Sequence, residues 1–155
     1  MALTDKNEKP IDLELDVARK QRFRLNGDNS KIVELNPHDT DIVNRLDEAY
    51  PKIADAMEKL ANLDADSETF KKDILACDKA IRDQIDYIFD SPVSAVCVSS
   101  GRMYDLYNGE FAYEKVIMTL SKVYAEEFES EYKKLKNRVK NRASNYINKG
   151  KKSKK

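Results

Sequence analysis

Phe23-Arg24-Leu25-Asn26-Gly27-Asp28-Asn29-Ser30-Lys31-Ile32-Val33-Glu34-Leu35-Asn36-Pro37-His38-Asp39 is the stretch that decides the fold, because local chemistry there changes from strand to helix. Asn26 and Gly27 tolerate positive φ and stand between apolar runs, so Asn26 to Ser30 reads as the loop of a hairpin. Phe23 and Leu25 lead into it, and Ile32, Val33 and Leu35 supply the return strand. Asn36 then reads as an N-cap and Pro37 as the first helical residue, with Asp39 and Asp41 near the positive end of the helix dipole. Upstream, Ile11, Leu13, Leu15 and Val17 alternate with Asp12, Glu14 and Asp16, the period-two pattern of a half-buried strand.

Downstream of the hairpin the periodicity is helical almost throughout. From Pro37, the positions Ile42, Val43, Leu46, Ala49, Tyr50, Ile53, Met57 and Leu60 follow helical spacing, and Pro51 among them either kinks the helix or restarts it. Asp64 to Ser67 supply a break and a new cap. Phe70, Ile74, Cys77, Ile81, Ile85 and Ile88 then fall on one face, the strongest core stripe in the chain. After the stop at Asp90-Ser91-Pro92, Val93 to Val98 forms one helical turn or two, followed by a loop from Ser99 to Gly109 that contains the turn signals Gly101 and Asn108-Gly109.

The last helix is expected to start near Glu110 and run to Ala143 or Tyr146. Its apolar positions from Tyr113 to Tyr146 recur about every 3.7 residues, near an 11-residue repeat, which disfavours a left-handed heptad coiled coil. At about 1.5 Å per residue it would be roughly 50 Å long, more than a helix over Ser67 to Phe89 can cover, so its C-terminal third should project or be bound by something else. The fold class is therefore mainly α (α+β): an N-terminal antiparallel β-hairpin followed by a helical domain with a long C-terminal helix. One domain over residues 1–148 is expected, with the hairpin in 11–35, the helical body in 37–146 and a disordered basic tail at 149–155. Phe70, Ile74, Ile81, Ile85, Ile88, Ile117 and Leu120 are the predicted core.

Composition sets limits on function. With 155 residues, 36% charged and 41% hydrophobic, the chain suits helices with broad solvated faces around a modest core. No apolar run approaches the roughly 18 residues of a membrane span, and the start of the sequence does not read as an export signal, so a soluble cytoplasmic protein with no membrane partner is expected. Cys77 and Cys97 are far from any ligand cluster and read as reduced, buried thiols.

The zero net charge conceals a strong asymmetry. Residues 131–155 carry eleven bases and a single acid, Glu131, for a net of plus ten. Since the whole chain holds 28 residues of each sign, the other 130 residues have 17 bases and 27 acids, a net of minus ten. Such a dipolar chain can meet an acidic partner or a second copy of itself, and a homo-oligomer is expected. It can equally be a solvated helix end whose bases suit the negative end of the dipole.

Side chains that could carry chemistry are few. His38 sits in a helix cap among polar residues, where a surface role is expected rather than that of a general base or metal ligand. Asp64, Asp66 and Glu68 alternate, yet the glycine and the distant bidentate acid of a calcium loop do not follow, and a helix-start cluster accounts for them better. Ser94, Ser99, Ser100 and Gly101 do not make a nucleophile elbow, and no glycine-rich phosphate loop is present. No catalytic, cofactor-binding or metal-binding residue is assigned, and an enzyme is not expected. Tyr113, Tyr124 and Tyr132 belong to the last helix's apolar stripe, and with Tyr104 and Tyr107 they could form a contact surface.

Two segments carry a family resemblance. The first is Arg22-Phe23-Arg24-Leu25-Asn26-Gly27-Asp28 with Ile32-Val33-Glu34-Leu35-Asn36-Pro37, Asp39 and Ile42-Val43-Asn44-Arg45-Leu46, preceded by a short acidic strand. The second is Ile85-Asp86-Tyr87-Ile88-Phe89-Asp90-Ser91-Pro92, followed by a short loop and a long terminal helix. In this order they resemble the tail assembly chaperones of long-tailed bacteriophages and prophages, over roughly two thirds of the chain. The resemblance implies a non-enzymatic role in the bacterial cytoplasm: binding the tape measure protein, recruiting tail tube protein, and leaving before the virion is finished. Partner binding is expected on the last helix, where Leu135, Val139 and Tyr146 form an apolar line flanked by Lys133, Arg138 and Arg142. Nucleic acid is a disfavoured alternative partner, given the acidic body and the lack of a recognised reading motif, and a self-assembling virion subunit is a further alternative.

Overall fold

The computed structural model describes residues 8–15, 20–126, 129–130, 133–134 and 137. Strand β1 (Gln21–Arg24) pairs antiparallel with β2 (Ile32–Leu35), with Phe23 opposite Val33 and Gln21 opposite Leu35. The reversal between them is built as the sequence requires. Asn26 and Gly27 adopt φ of 53° and 70°, Asp28 N–H closes the turn on the Leu25 carbonyl at 2.9 Å, and Asp28 Oδ1 accepts from both Ser30 N–H (2.9 Å) and Ser30 Oγ–H (2.7 Å). The bonds to Ser30 hold the Asp28 carboxyl below the usual carboxylate range. The architecture is thus the mainly helical α+β fold with an N-terminal antiparallel hairpin.

The alternating stretch upstream departs from expectation. Ile11 to Leu15 is not a strand, and Ile11, Leu13 and Leu15 are 88%, 88% and 78% exposed. Alternation creates an apolar face, but a strand also needs a partner strand, and among the described residues 11–15 pair with none. Val17 lies outside the described residues.

The start of helix α1 (Ile42–Ala61) is also later than the sequence suggests. Asn36 Oδ1 accepts from His38 N–H at 3.1 Å and Asp39 Oδ1 from Asp41 N–H at 3.0 Å, two successive side-chain turns that compete with helix, and Asp41 becomes the N-cap. Pro37 is fully buried in this connection instead of opening the helix. Pro51, by contrast, neither ends nor restarts α1, which continues through it to Ala61.

After the break at 62–69, helix α2 (Phe70–Phe89) buries Cys77, Ile81, Ile85, Ile88 and Phe89. Phe70 and Ile74, predicted to be core, are only half-buried, because the first turns of α2 lie where the helix pair opens. The helix ends on Asp90, whose left-handed backbone (φ 48°, ψ 45°) lets Ser91 N–H reach back to the Asp86 carbonyl at 3.2 Å. Helix α3 (Ser94–Cys97) is a single turn. Asn108 and Gly109, with φ of 55° and 81°, then join two strands too short to be read from sequence, β3 (Leu106–Tyr107) and β4 (Glu110–Phe111). The last helix, α4, follows over 112–126, and residues 129–130, 133–134 and 137 are helical as well.

One apolar cluster joins these elements. It contains Val33 and Leu35 of β2, Ile42, Ala49, Ile53 and Ala56 of α1, the Ile81–Ile85–Ile88–Phe89 face of α2, Val93, Met103, and Val116, Ile117, Leu120 and Tyr124 of α4. The Phe89 and Tyr124 rings meet in it with centroids 6.0 Å apart. The predicted core residues Ile81, Ile85, Ile88, Ile117 and Leu120 are all buried.

Candidate functional site

Helices α1 and α2 run antiparallel and are fastened by side-chain hydrogen bonds at one end. At the fastened end Arg45 of α1 donates through Nε to the Ile88 carbonyl at 2.9 Å, satisfying a carbonyl in the last turn of α2. Its other nitrogens hold Asp39 (2.5 Å) and Asp41 (3.4 Å). Burial opposes the Arg45 charge, and these carboxylates together with Asp90 more than offset it, raising the pKa. Tyr87 donates to Glu48, tying the two helices again nearby.

A second clamp holds the connection after α2. Asp78, buried on α2, accepts from Arg82 Nε at 2.8 Å and from Met103 N–H at 2.7 Å. Arg82 then donates to three backbone carbonyls, Ser94 (3.2 Å), Val98 (2.9 Å) and Gly101 (3.0 Å). A buried carboxylate is tolerated here because both its oxygens have donors, and the guanidinium spends its remaining N–H groups on a loop with no regular partner strand. Asp86 finishes the job by accepting from Ser94 N–H (2.8 Å) and Ser94 Oγ–H (3.1 Å). In sequence Asp78 and Arg82 look like any solvated pair four residues apart; the exposed pair Lys79–Asp83 at 2.8 Å is such a pair.

At the opposite end α1 and α2 leave an open groove of about 840 Å³. Ala56, Leu63, Ala76, Cys77 and Ala80 line its apolar part, with Lys52, Asp55, Glu58, Lys59, Asn62 and Asp73 around them. Small side chains on both helices keep the floor low, which is the geometry that admits a third helix rather than a compact ligand held by convergent polar groups. The spacing of Ala76 and Ala80, one turn apart beside the core stripe, is the sequence signal that could have located it.

Neither thiol is set up as a nucleophile. Burial, and then the charge of Asp73, push the Cys77 pKa up, and burial pushes Cys97 up to about 11, so both hold their protons at neutral pH. Both are free thiols. Among the described residues no group of three or more His, Cys, Asp or Glu could hold a metal ion, and no helix is long and apolar enough to cross a membrane. His38 is exposed. Tyr104 donates to the Ile74 carbonyl at 3.2 Å, Tyr124 is buried in the core, Tyr113 is half-buried, Tyr107 is exposed, and Tyr132 lies outside the described residues.

Of the six residues expected to bind a partner, Lys133 lies on the described helix, exposed and paired with Glu129 at 3.2 Å. Leu135, Arg138, Val139, Arg142 and Tyr146, like the tail at 149–155, lie outside the described residues. The groove is a candidate site that sequence reasoning missed, and none of these six residues lines it.

Comparison with protein-family models, curated proteins and solved structures returned no match.

Proposed function

We propose that this chain is a tail assembly chaperone of a long-tailed bacteriophage or prophage, acting by binding and not by catalysis. In this reading it works in the host cytoplasm, holds amphipathic segments of a tape measure protein, recruits tail tube protein, and is absent from the finished virion. Two things support it: the resemblance carried by the hairpin segment and by Ile85 to Pro92, and the open α1–α2 groove. The groove carries the most weight, because an apolar trough rimmed by both Lys52 and Lys59 and by Asp55, Glu58 and Asp73 suits the apolar stripe of a helix with mixed charges on its flanks. Each Leu or Val that such a helix buries contributes about 1.5–3 kcal/mol, so a few anchors suffice for a hold that can still be released.

The test is capture of a co-expressed fragment of a tape measure protein from the same genome. Ala76→Glu with Ala80→Glu should abolish capture while melting stays unchanged, since both positions are exposed. Truncation after Ser130 separates the groove from the basic helix. Loss on truncation with full capture by the groove variant places binding on Lys133, Leu135, Arg138, Val139, Arg142 and Tyr146. Stronger retention of duplex DNA than of the fragment, steeply weakened by salt, replaces the chaperone reading with a nucleic-acid one. Recovery of the protein in purified virions would make it a structural subunit.

A further inference from the structure

Ile11, Leu13 and Leu15 present a regular apolar face that covers nothing, with Asp12 and Glu14 on the other side. In the two-stranded sheet, meanwhile, the outer edge of β1 has no strand partner among the described residues. In the hairpin Leu25 N–H bonds the Lys31 carbonyl at 2.9 Å, and antiparallel alternation from that pair turns the backbone groups of Phe23 and Gln21 toward β2 and those of Arg22 and Arg24 outward. The outer edge of β1 therefore offers backbone donors and acceptors framed by two exposed arginines. Beside it, toward the core, lies a groove of about 440 Å³ lined by Phe23, Pro37 and Val123.

We propose that residues 11–15 of one copy add as a third strand to the outer edge of β1 in a second copy, reciprocally. Leu13 would then lie opposite Phe23 over the groove, and Asp12 and Glu14 opposite Arg24 and Arg22 on the solvent face, opposite charges on paired strands. Charge selects this edge, since the outward side chain in the middle of β2 is Glu34. A second copy is the occupant because the chain's own stretch does not lie on its own edge. Lys20, between that stretch and β1, is tied instead to the Asp90 carbonyl at 2.5 Å. The exchange is independent of the chaperone reading.

Sedimentation of the full chain tests it, with two double variants whose four positions are all exposed. The unmodified chain should sediment as a dimer, and D12K/E14K and R22E/R24E should each fall to monomer mass. An equimolar mixture of the two variants should return to dimer mass, because each arm then meets an edge of opposite charge. Leu13→Asp should lose the dimer in either background. A monomeric unmodified chain at every concentration, or a dimer indifferent to both variants, overturns the exchange. So does a mixture that stays monomeric, which would assign the pairing to a single chain or to no chain.

Discussion

The two ends of the α1–α2 pair use the same helices to opposite effect. At one end Arg45, and beyond it Asp78 and Arg82, convert the last turn of α2 and the irregular segment after it into hydrogen-bonded structure. At the other end small side chains of the same helices leave a trough open to solvent. At the first end Arg45 and Arg82 are half-buried and Asp78 is buried, each engaged with backbone groups, whereas Lys52, Asp55, Glu58 and Lys59 around the groove are exposed. The lesson is that a charged residue's weight here depends on how many backbone groups it satisfies and not on its charge.

That contrast can be broken outright between the two ends. Ile81 is fully buried at the middle of α2, and Ile81→Asp should unfold the chain, since a buried unpaired carboxylate costs several kcal/mol against a domain stability of about 5–15 kcal/mol. An unchanged thermal melt would overturn the core. Next in size, Arg82→Ala should destabilise by about 3–5 kcal/mol, because Asp78 is left buried and three carbonyls lose a donor. Lys79→Ala, which removes an exposed pair on the same helix, should stay within about 0.5 kcal/mol. Equal losses from Arg82 and Lys79 in a denaturant titration would mean that the clamp is ordinary surface charge. At the open end, Ala76→Glu with Ala80→Glu should move the melting midpoint little, and a large drop would show the groove to be core.

A small effect is also expected at Tyr124, whose buried hydroxyl has no hydrogen-bond partner among the described residues. Tyr124→Phe should be neutral or stabilise by up to about 1 kcal/mol, because it removes an unsatisfied polar group. Burial, reinforced by Asp39, pushes Tyr124 from 10.0 up to about 12. Between those values the unfolded chain has released the proton that the folded chain keeps, so stability falls as pH rises from 10 toward 12, and Tyr124→Phe should flatten that part of a melting profile. Cys97, raised by burial from 9.0 to about 11, adds an earlier decline that begins near pH 9.

Legibility followed the range of the interaction. The Asn26-Gly27 reversal, the strand at Ile32–Leu35 and the α2 stripe were readable because turn chemistry and periodicity act over a few residues. Asn36 was misread as a cap because an Asn before Pro fits a helix start and a side-chain turn equally well, and only the second turn at Asp39 separates them. Phe70 and Ile74 continue the stripe without sharing the burial, since periodicity gives a helix its face but not the extent of its cover. The roles of Asp78 and Arg82 were invisible for the same reason, since their partners lie on other elements, and the groove left only the Ala76–Ala80 spacing as a trace.

The amino-acid sequence by itself determined the fold class, the hairpin reversal, the inward face of α2 and the division of the chain into an acidic part and a basic end. All of these follow from backbone preferences, hydrophobic spacing and charge counts, which act locally or by summation. Only the tertiary structure decided that Ile11 to Leu15 stays unpaired, that Pro51 sits within one helix, that two arginines cap backbone carbonyls, and that α1 and α2 part around a groove. Each of those depends on which surfaces remain after distant elements have packed, and burial is a property of the assembled chain.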